Sequence, residues 1–357
     1  MGPVMIMAGG TGGHVFPALA VAKRLTELGA QVFWIGTPSG IEARLVPAQG
    51  IEIEWIPVRG LRGSGVGRLL AAPWTVGRAL LRVWTVARRR RPAVALGMGG
   101  FVSGPGGVMA RLLGVPLVVH EQNRVPGLTN RWLARLATRL FEAFPGSFAA
   151  DAGAQVSGNP VRAEIAALPA PEQRQLGQRG RLRLLVLGGS QGALALNRTL
   201  PKALALLPPA WRPLVRHQSG AATLAVTQAS YAEAGVAGEP VAFIEDMAEA
   251  YGWADLVLAR AGALTLSELA AAGVGSLLVP YPHAVDDHQT RNAAWLVEAG
   301  AARLLPQATL SAEGLAAQLE ELDRDRDSLL ALAQAARAQA RIKAADLLAR
   351  ACLEVAK

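Results

Sequence analysis

The sequence predicts an α/β protein built from two doubly wound domains with parallel sheets. Short apolar runs alternate with stretches of helical spacing along all 357 residues, a pattern typical of βαβ units. A chain of this length is also expected to fill two hydrophobic cores. In addition, an apolar strand runs into a Gly-Gly-(Thr/Ser)-x-Gly turn twice, at Met5–His14 and at Leu184–Ala193. Each domain is therefore expected to open with its own Gly-rich turn.

The first half of the chain contains five apolar runs that predict strands. Between the first two, apolar residues at helical spacing predict a helix over Pro17–Leu28, which Gly29 ends. The predicted strands are Val4–Ala8, Val32–Gly36, Ile51–Pro57, Ala93–Leu96 and Pro116–His120.

The second half contains six further predicted strands. A proline-rich region, Ser157–Gln178, predicts the linker, which gives domains of residues 1–157 and 158–337. The Ala/Leu/Arg-rich end, Asp325–Lys357, predicts one or two helices. The predicted strands are Leu182–Leu187, Pro213–His217, Val241–Ile244, Leu256–Leu258, Ser276–Val279 and Arg303–Leu305.

Composition and charge narrow the class of protein. Hydrophobic residues make up 51% and charged residues 18%, which excludes a disordered chain, and the single cysteine excludes a disulfide framework. Met1–Ala22 is uncharged but contains five glycines and two prolines, so it predicts neither a membrane span nor a signal peptide. Residues 1–157 hold 17 basic and 7 acidic side chains, whereas residues 158–357 hold 19 and 20. This asymmetry indicates an anionic partner for the first half: a membrane surface, a phosphorylated substrate or nucleic acid.

Three Gly-rich turns are candidate ligand sites. Gly9–His14, Gly97–Pro105 and Gly188–Gly192 each follow a predicted strand, and glycines let a phosphate or sugar approach the backbone. The first turn matches neither G-x-G-x-x-G nor a Walker loop, and no acidic residue ends the second predicted strand, so a dinucleotide cofactor is disfavoured. The alternative is a plain strand-to-helix turn. His14 is placed to take a proton from a hydroxyl, and Ser190 to donate to a phosphate oxygen.

Polar segments supply further candidates. His120–Asn123 ends a buried strand, at the edge where such folds bind ligands, although an exposed loop is the alternative. Gly158–Arg162 places an arginine at the linker, where its planar guanidinium can pair with phosphate or with a pyrimidine edge. In Ala259–Glu268 a helix is expected to begin near Thr265. Glu268 then either completes a capping box with Thr265 or accepts hydrogen bonds from a ribose.

Two other segments allow competing interpretations. A loop holds two histidines and two aspartates, which suggests a metal site, but loop spacing does not establish ligand geometry. Val66–Arg91 combines tryptophans with arginines, which suits an anionic membrane surface, whereas core packing with a solvated arginine face is the alternative. No nucleic-acid motif accompanies this charge. The loop residues are His283, Asp286, Asp287 and His288, and the candidate membrane residues are Trp74, Trp84, Arg88, Arg89, Arg90 and Arg91.

Seven motifs of this sequence occur in the order found in the MurG-type N-acetylglucosaminyltransferases of peptidoglycan synthesis. The resemblance covers essentially the whole chain. The resemblance implies a GT-B fold, with the C-terminal helices 338–357 packing back on the first domain. It implies transfer of N-acetylglucosamine, with inversion, from UDP-GlcNAc to the C4 hydroxyl of lipid I, the MurNAc-pentapeptide carried on undecaprenyl diphosphate, which gives lipid II. The enzyme is expected to work without metal or cofactor, as a peripheral protein on the cytoplasmic face of the bacterial inner membrane. The motifs are Gly9–Pro17, Gly99–Pro105, His120–Asn123, Gly158–Arg162, Gly188–Ala193, Ala259–Glu268 and Asp286–Asn292.

The resemblance also implies the roles of individual residues. His14 is the expected general base or acceptor-positioning group, with Glu121 as the second choice, and the backbone of Ile244 receives the uracil. Phe101 stands where many members carry tyrosine, so no hydroxyl is needed there. Another UDP-sugar enzyme, such as a lipid glucosyltransferase or a 2-epimerase, and a non-catalytic UDP-sugar sensor remain alternatives. The other substrate-binding residues are Thr11, Gly12, Gly13, Asn123, Arg162, Ser190, Ala263, Leu264, Thr265, Leu266, Ser267, Glu268 and Gln289.

Overall fold

A computed structural model describes residues 2–57, 66–174, 180–189 and 192–356 of the chain. The chain divides into two compact units. The first comprises Met1–Val161 together with Ile342–Lys357, and the second comprises Arg162–Arg341.

The first unit is built on a parallel sheet with the order β3-β2-β1-β4-β5-β6-β7. The central strand β1 is buried along its whole length, with Ile6 in register with Trp34 on one side and Leu96 on the other. Chain order reverses beside β1, which places the ends of β1 and β4 at the switch point where such sheets bind ligands. The strands are β1 Val4–Met7, β2 Val32–Gly36, β3 Glu52–Trp55, β4 Val94–Gly97, β5 Leu117–Glu121, β6 Arg139–Glu142 and β7 Gln155–Val156.

Helices cover both faces of this sheet. The apolar face of α1 is buried, and Gly29 follows the helix with a φ of 83° that an L side chain rarely adopts. The C-terminal helix α14 packs against α1, where Leu348 and Cys352 enter the core and Arg24 Nε donates to Asp346 at 2.7 Å. The helices are α1 Gly12–Glu27, α2 Glu42–Leu45, α3 Val66–Arg90, α4 Ser103–Leu112, α5 Leu128–Ala134 and α14 Ala344–Val355.

The second unit repeats the design with the strand order β10-β9-β8-β11-β12-β13, again parallel throughout. Its core lies between the sheet and the helices α7, α12 and α13. The strands are β8 Arg183–Leu187, β9 Leu214–Gln218, β10 Glu239–Val241, β11 Leu256–Ala259, β12 Gly275–Leu278 and β13 Ala302–Leu304. The helices are α6 Ala163–Ala166, α7 Leu194–Leu206, α8 Leu224–Ala234, α9 Met247–Trp253, α10 Ala263–Ala272, α11 His288–Glu298, α12 Ala312–Arg324 and α13 Arg326–Ala338.

The predicted fold class of two parallel α/β sheets is confirmed, and the differences are local. The strands β6 and β7 were not predicted from the sequence, and β10 ends at Val241, so the predicted extension to Ile244 is wrong. Pro240 interrupts the apolar run inside β10, which explains why the sequence pattern placed that strand too late.

Candidate functional site

The first Gly-rich turn joins β1 to α1 and is fastened by a buried carboxylate. Glu42 is 0% exposed; its Oε2 accepts the amide of Gly10 at 3.0 Å, and its Oε1 accepts the amide and hydroxyl of Thr37 at 3.0 and 2.8 Å. A Cβ on Gly9 would lie 2.6 Å from Glu42 Oε1, so a larger residue there would displace this carboxylate. The predicted Thr11 is the N-cap residue of α1, and Gly12 begins that helix.

The second Gly-rich turn packs directly on the first. Gly99 and Gly100 both have positive φ, at 90° and 80°. A Cβ on Gly100 would collide with the carbonyl oxygen of Gly9, and one on Gly99 would lie 2.7 Å from Nδ1 of His14. Gly100 therefore packs against the backbone of Gly9, and Gly99 packs against the imidazole of His14.

The structure brings His14 together with the predicted His120–Asn123 segment at the end of β5. Nδ1 of His14 lies 2.9 Å from Oε1 of Gln122, and Nε2 of Gln122 lies 3.0 Å from Nδ1 of His120. Nε2 of His120 lies 3.0 Å from the carbonyl oxygen of Gly158. Complete burial, with a smaller contribution from His14, lowers the pKa of His120 to about 4, so this ring is neutral near pH 7.

Glu121 holds the loop that follows β5. Its Oε1 accepts the backbone and side-chain N–H groups of Asn123 at 2.8 and 3.2 Å. Its Oε2 accepts Nδ2 of Asn130 at 2.9 Å and the amide of Gly127 at 3.2 Å. A carboxylate offers about four acceptor positions, so this geometry occupies all of them with protein donors.

In the second unit, two predicted residues form an ion pair. Glu268 on α10 is 5% exposed; its Oε1 accepts Nε and Nη2 of Arg162 at 3.1 and 2.7 Å, and its Oε2 accepts the hydroxyl of Tyr251 at 3.2 Å. Burial raises the pKa of Glu268 despite the opposing charge and hydrogen bonds of Arg162. Burial, together with the neighbouring Glu268, raises the pKa of Tyr251 well above its ordinary value. Tyr251 was not predicted as a site residue.

The capping-box interpretation of Glu268 is wrong. The helix α10 begins at Ala263 after the N-cap Gly262, two residues before the predicted start, so Glu268 is not in the first turn and its partners are Arg162 and Tyr251. The predicted residues Ala263–Leu266 form that first turn instead. Ser267 donates back to the carbonyl oxygen of Ala263 at 3.0 Å.

The third Gly-rich turn is fastened by a glutamine that was not predicted. Oε1 of Gln218 accepts the amide of Gly189 at 3.0 Å, and its Nε2 donates at 3.1 Å to the carbonyl oxygens of Gly189 and Ala242. Gln218 thereby ties this turn to the loop that carries the half-buried Ile244. The predicted Ser190 lies outside the described residues.

The loop between β12 and α11 is held by two polar side chains. Gln289 Oε1 accepts the amide of Tyr281 at 2.9 Å, while Arg260 donates to the carbonyl oxygens of Val279 and Pro280 at 3.0 and 3.2 Å. The described residues contain no group of three or more His, Cys, Asp or Glu side chains arranged to hold a metal ion.

The helix α3 exposes aromatic and basic side chains. Trp74 is 74% and Trp84 43% exposed, and the guanidinium of Arg88 lies 5.6 Å from the centre of the Trp84 ring. Arg89 and Arg90, in contrast, pair with Glu54 at 2.6 and 3.0 Å. None of the helices in the described part of the chain is both long and apolar enough to cross a bilayer.

Comparison with known proteins gives consistent matches over both units. The glycosyltransferase family 28 N-terminal domain matches residues 4–142, and the family 28 C-terminal domain matches residues 183–350. The chain is 54% identical over 352 residues to a protein of Marinobacter nauticus, covering 99% of this chain and 97% of that protein. It is 56% identical over 355 residues to one of Alkalilimnicola ehrlichii, covering 99% of both. Each is named UDP-N-acetylglucosamine–N-acetylmuramyl-(pentapeptide) pyrophosphoryl-undecaprenol N-acetylglucosamine transferase.

Solved structures of glycosyltransferases also match the chain over almost its whole length. The crystal structure of MurG from Acinetobacter baumannii matches with a TM-score of 0.85 and 42% identity, covering 99% of this chain and 100% of that chain. A calicheamicin glycosyltransferase matches with a TM-score of 0.68 at 17% identity, covering 99% and 97%, which supports the fold alone. The fold is therefore GT-B, and the chain belongs to the MurG-type N-acetylglucosaminyltransferases of glycosyltransferase family 28.

Proposed function

We propose that this enzyme transfers N-acetylglucosamine from UDP-GlcNAc to the C4 hydroxyl of MurNAc-pentapeptide-diphospho-undecaprenol (lipid I), giving lipid II for peptidoglycan synthesis. The observation that carries the proposal is identity of 53–56% over essentially the whole chain to several relatives that bear the name of this transferase. Of the two domains predicted from the sequence, residues 158–337 bind the donor and residues 1–157 bind the acceptor.

The second unit offers donor-binding groups of the kinds that UDP-GlcNAc requires. The first turn of α10, Ala263–Leu266, places a helix N-terminus where it can stabilise a diphosphate. The carboxylate of Glu268 accepts a hydrogen bond from the ribose at the one acceptor position that Arg162 and Tyr251 leave open, and Arg162 orients that carboxylate. The backbone of Ile244 receives the uracil, Ser190 contacts the diphosphate and Gln289 contacts the sugar hydroxyls.

In the first unit, His14 is the group best placed to accept a proton. The acceptor hydroxyl attacks the anomeric carbon, the bond to UDP breaks with its electron pair leaving on UDP, and the hydroxyl proton passes to Nε2 of His14. Attack opposite the leaving group inverts that carbon. Because all four acceptor positions of Glu121 are occupied, Glu121 acts by holding Asn123 and its loop rather than as the base. Thr11, Gly12 and Gly13 bind substrate at the start of α1.

The leaving diphosphate is stabilised without a metal ion. The N-terminal turn of α10 supplies positive potential that requires no reorganisation during the reaction. The enzyme accordingly uses no cofactor.

The acceptor is a membrane lipid, so we propose that α3 contacts the anionic cytoplasmic face of the bacterial inner membrane as part of a peripheral attachment. The exposed Trp74 and Trp84 suit the interface between water and lipid. Arg89 and Arg90 pair with Glu52 and Glu54 of β3, so we assign the contact with anionic headgroups to Arg88 and Arg91 of the run Arg88–Arg91.

Product analysis tests the proposed reaction. The protein is incubated with UDP-GlcNAc and a lipid I analogue, and the products are separated and identified by mass spectrometry and NMR. A β-linked disaccharide on the analogue is expected. An epimerised UDP-sugar formed without acceptor would identify a 2-epimerase instead, and nucleotide binding with no new product in the presence of acceptor would identify a sensor.

A further inference from the structure

One side chain connects the two histidines of the first unit. The side-chain amide of Gln122 lies between them: its Oε1 is 2.9 Å from Nδ1 of His14, and its Nε2 is 3.0 Å from Nδ1 of His120. An amide has an acceptor at one end and a donor at the other, so its orientation determines which ring nitrogen of each histidine carries a proton.

Backbone oxygens determine that orientation. Nε2 of Gln122 also lies 3.2 Å from the carbonyl oxygen of His120. A carbonyl oxygen only accepts, so it requires the NH₂ end of the amide on that side and excludes the flipped form. Nδ1 of His120, which receives the other N–H of the same group, must therefore be the unprotonated nitrogen of its ring.

The hydrogen bond at Nε2, the other ring nitrogen of His120, supports the same assignment of the proton. With Nδ1 unprotonated, a neutral His120 carries its proton on Nε2, and this nitrogen lies 3.0 Å from the carbonyl oxygen of Gly158, another atom that only accepts. His120 is completely buried, and its burial favours the neutral ring that this arrangement needs. The carbonyl oxygens of His120 and Gly158 thus both require the proton of the His120 ring to lie on Nε2.

We infer that Gln122 is a positioning residue of the transfer reaction: its amide, oriented by His120, holds His14 in the Nδ1-protonated form and leaves Nε2 able to accept a proton. Oε1 of Gln122 is an acceptor, so Nδ1 of His14 must donate to it. This inference rests on the proposed function, in which Nε2 of His14 receives the proton of the acceptor hydroxyl. A neutral imidazole in water favours the opposite, Nε2-protonated form, which has no lone pair at Nε2.

Gly99 leaves room for this geometry. A Cβ on Gly99 would lie 2.7 Å from Nδ1 of His14 and 3.2 Å from Oε1 of Gln122. The absence of a side chain at Gly99 is therefore what lets the hydrogen-bonded pair of His14 and Gln122 fit beneath the second turn. Glu121, the carboxylate next in sequence, is occupied by its loop, so an uncharged amide does the orienting.

The proton positions are measured directly by ¹⁵N NMR of the imidazole nitrogens in the full-length protein without substrates. The chain has five histidines, so the signals of His14 are assigned by their loss in His14→Ala. In the neutral ring of His14, a protonated Nδ1 and an unprotonated Nε2 are expected. In Gln122→Met, which is similar in volume but has no amide, the Nε2-protonated form should grow. An Nε2-protonated His14 in the unsubstituted protein, or an unchanged spectrum in Gln122→Met, overturns the inference.

Kinetics then separate positioning from structural damage. Gln122→Met should lower kcat by about tenfold with little change in the KM for UDP-GlcNAc, which is less than the loss of about 100-fold or more for His14→Ala. In the double variant, Gln122→Met should add no further loss, because it acts through His14. A full additional loss in the His14→Ala background would overturn the inference. Gln334→Met, on an exposed part of α13, is the matched control. Wild-type lipid II synthesis tests the proposed function separately from the spectrum.

Discussion

Replacing Glu42 by glutamine tests whether its charge holds the first Gly-rich turn. The buried carboxylate accepts three hydrogen bonds, two from Thr37 and one from the amide of Gly10. A glutamine presents an oxygen to only one of these partners. Whichever way its amide turns, an NH₂ group faces a backbone N–H, so one backbone donor loses its acceptor.

The magnitude follows from those contacts. Hydrogen bonds to charged groups contribute about 1.5–3 kcal/mol, and those between neutral groups about 0.5–1.5 kcal/mol. The two bonds kept with Thr37 change from the first kind to the second, so together they weaken by about 2 kcal/mol. The unpaired N–H adds about 1 kcal/mol, while burying an amide costs less than burying a carboxylate and offsets part of this loss. The expected net loss in the free energy of unfolding is about 2 kcal/mol.

Urea unfolding followed by fluorescence measures this loss, with turnover measured in parallel. Turnover of Glu42→Gln should fall, because Gly10 lies just before the helix that carries His14. Glu27→Gln is the matched control: its side chain is 48% exposed and pairs with Arg24, so its loss should stay below about 0.5 kcal/mol. A loss for Glu42→Gln that is no larger than that of Glu27→Gln would refute the reasoning.

Three further predictions concern the donor site, the membrane surface and acid stability. Glu268→Ala should weaken UDP-GlcNAc binding by about 1.5–3 kcal/mol in calorimetry, because a charge-assisted acceptor is lost; unchanged affinity would remove Glu268 from the donor site. Replacing Arg88 and Arg91 by glutamine should weaken binding to anionic liposomes, measured by co-sedimentation, by about 1 kcal/mol per charge. The same charge change at Arg198 and Lys202, exposed on α7, should have a smaller effect, and equal effects would contradict a specific surface on α3. Burial lowers the pKa of both His120 and His217 to about 4 from an unfolded value near 6.5, so the unfolded state binds more protons between these pH values. The contribution of these histidines to the free energy of unfolding should therefore be fully present above pH 6.5. It should decrease towards pH 4, by roughly 3 kcal/mol per histidine; a thermal midpoint that does not change between pH 7.5 and 5 would contradict this.

The fold was predictable because buried parallel strands are apolar along their whole length. The strand β2 has the predicted bounds, Val32–Gly36, and β1 differs from its prediction by one residue. The strand β7 has two residues, both exposed, and it therefore leaves no apolar run to recognise. The run that contains β6 begins with Arg139, and its polar ends, Arg139 and Glu142, hide a strand of four residues.

The candidate site was predictable where residues close together in sequence mark it. Clustered glycines after predicted strands and polar residues at a strand end identified the first two turns and the His120–Asn123 segment. The partners that hold these groups are distant in sequence: Glu42 is 32 residues from Gly10, and Gln122 is 108 residues from His14. No local pattern reports such pairings. The start of α10 was placed too late because the small residues before Thr265 carry no helix-start signal.

Release of UDP tests the central claim most directly. UDP is measured after mixing the protein with UDP-GlcNAc in EDTA, with and without a lipid I analogue. Transfer to lipid I without a metal predicts UDP release that depends on the analogue and persists in EDTA. Equal release with and without the analogue, or none in either case, would contradict the proposed transfer. Release that stops in EDTA would contradict the metal-independent stabilisation of the leaving diphosphate.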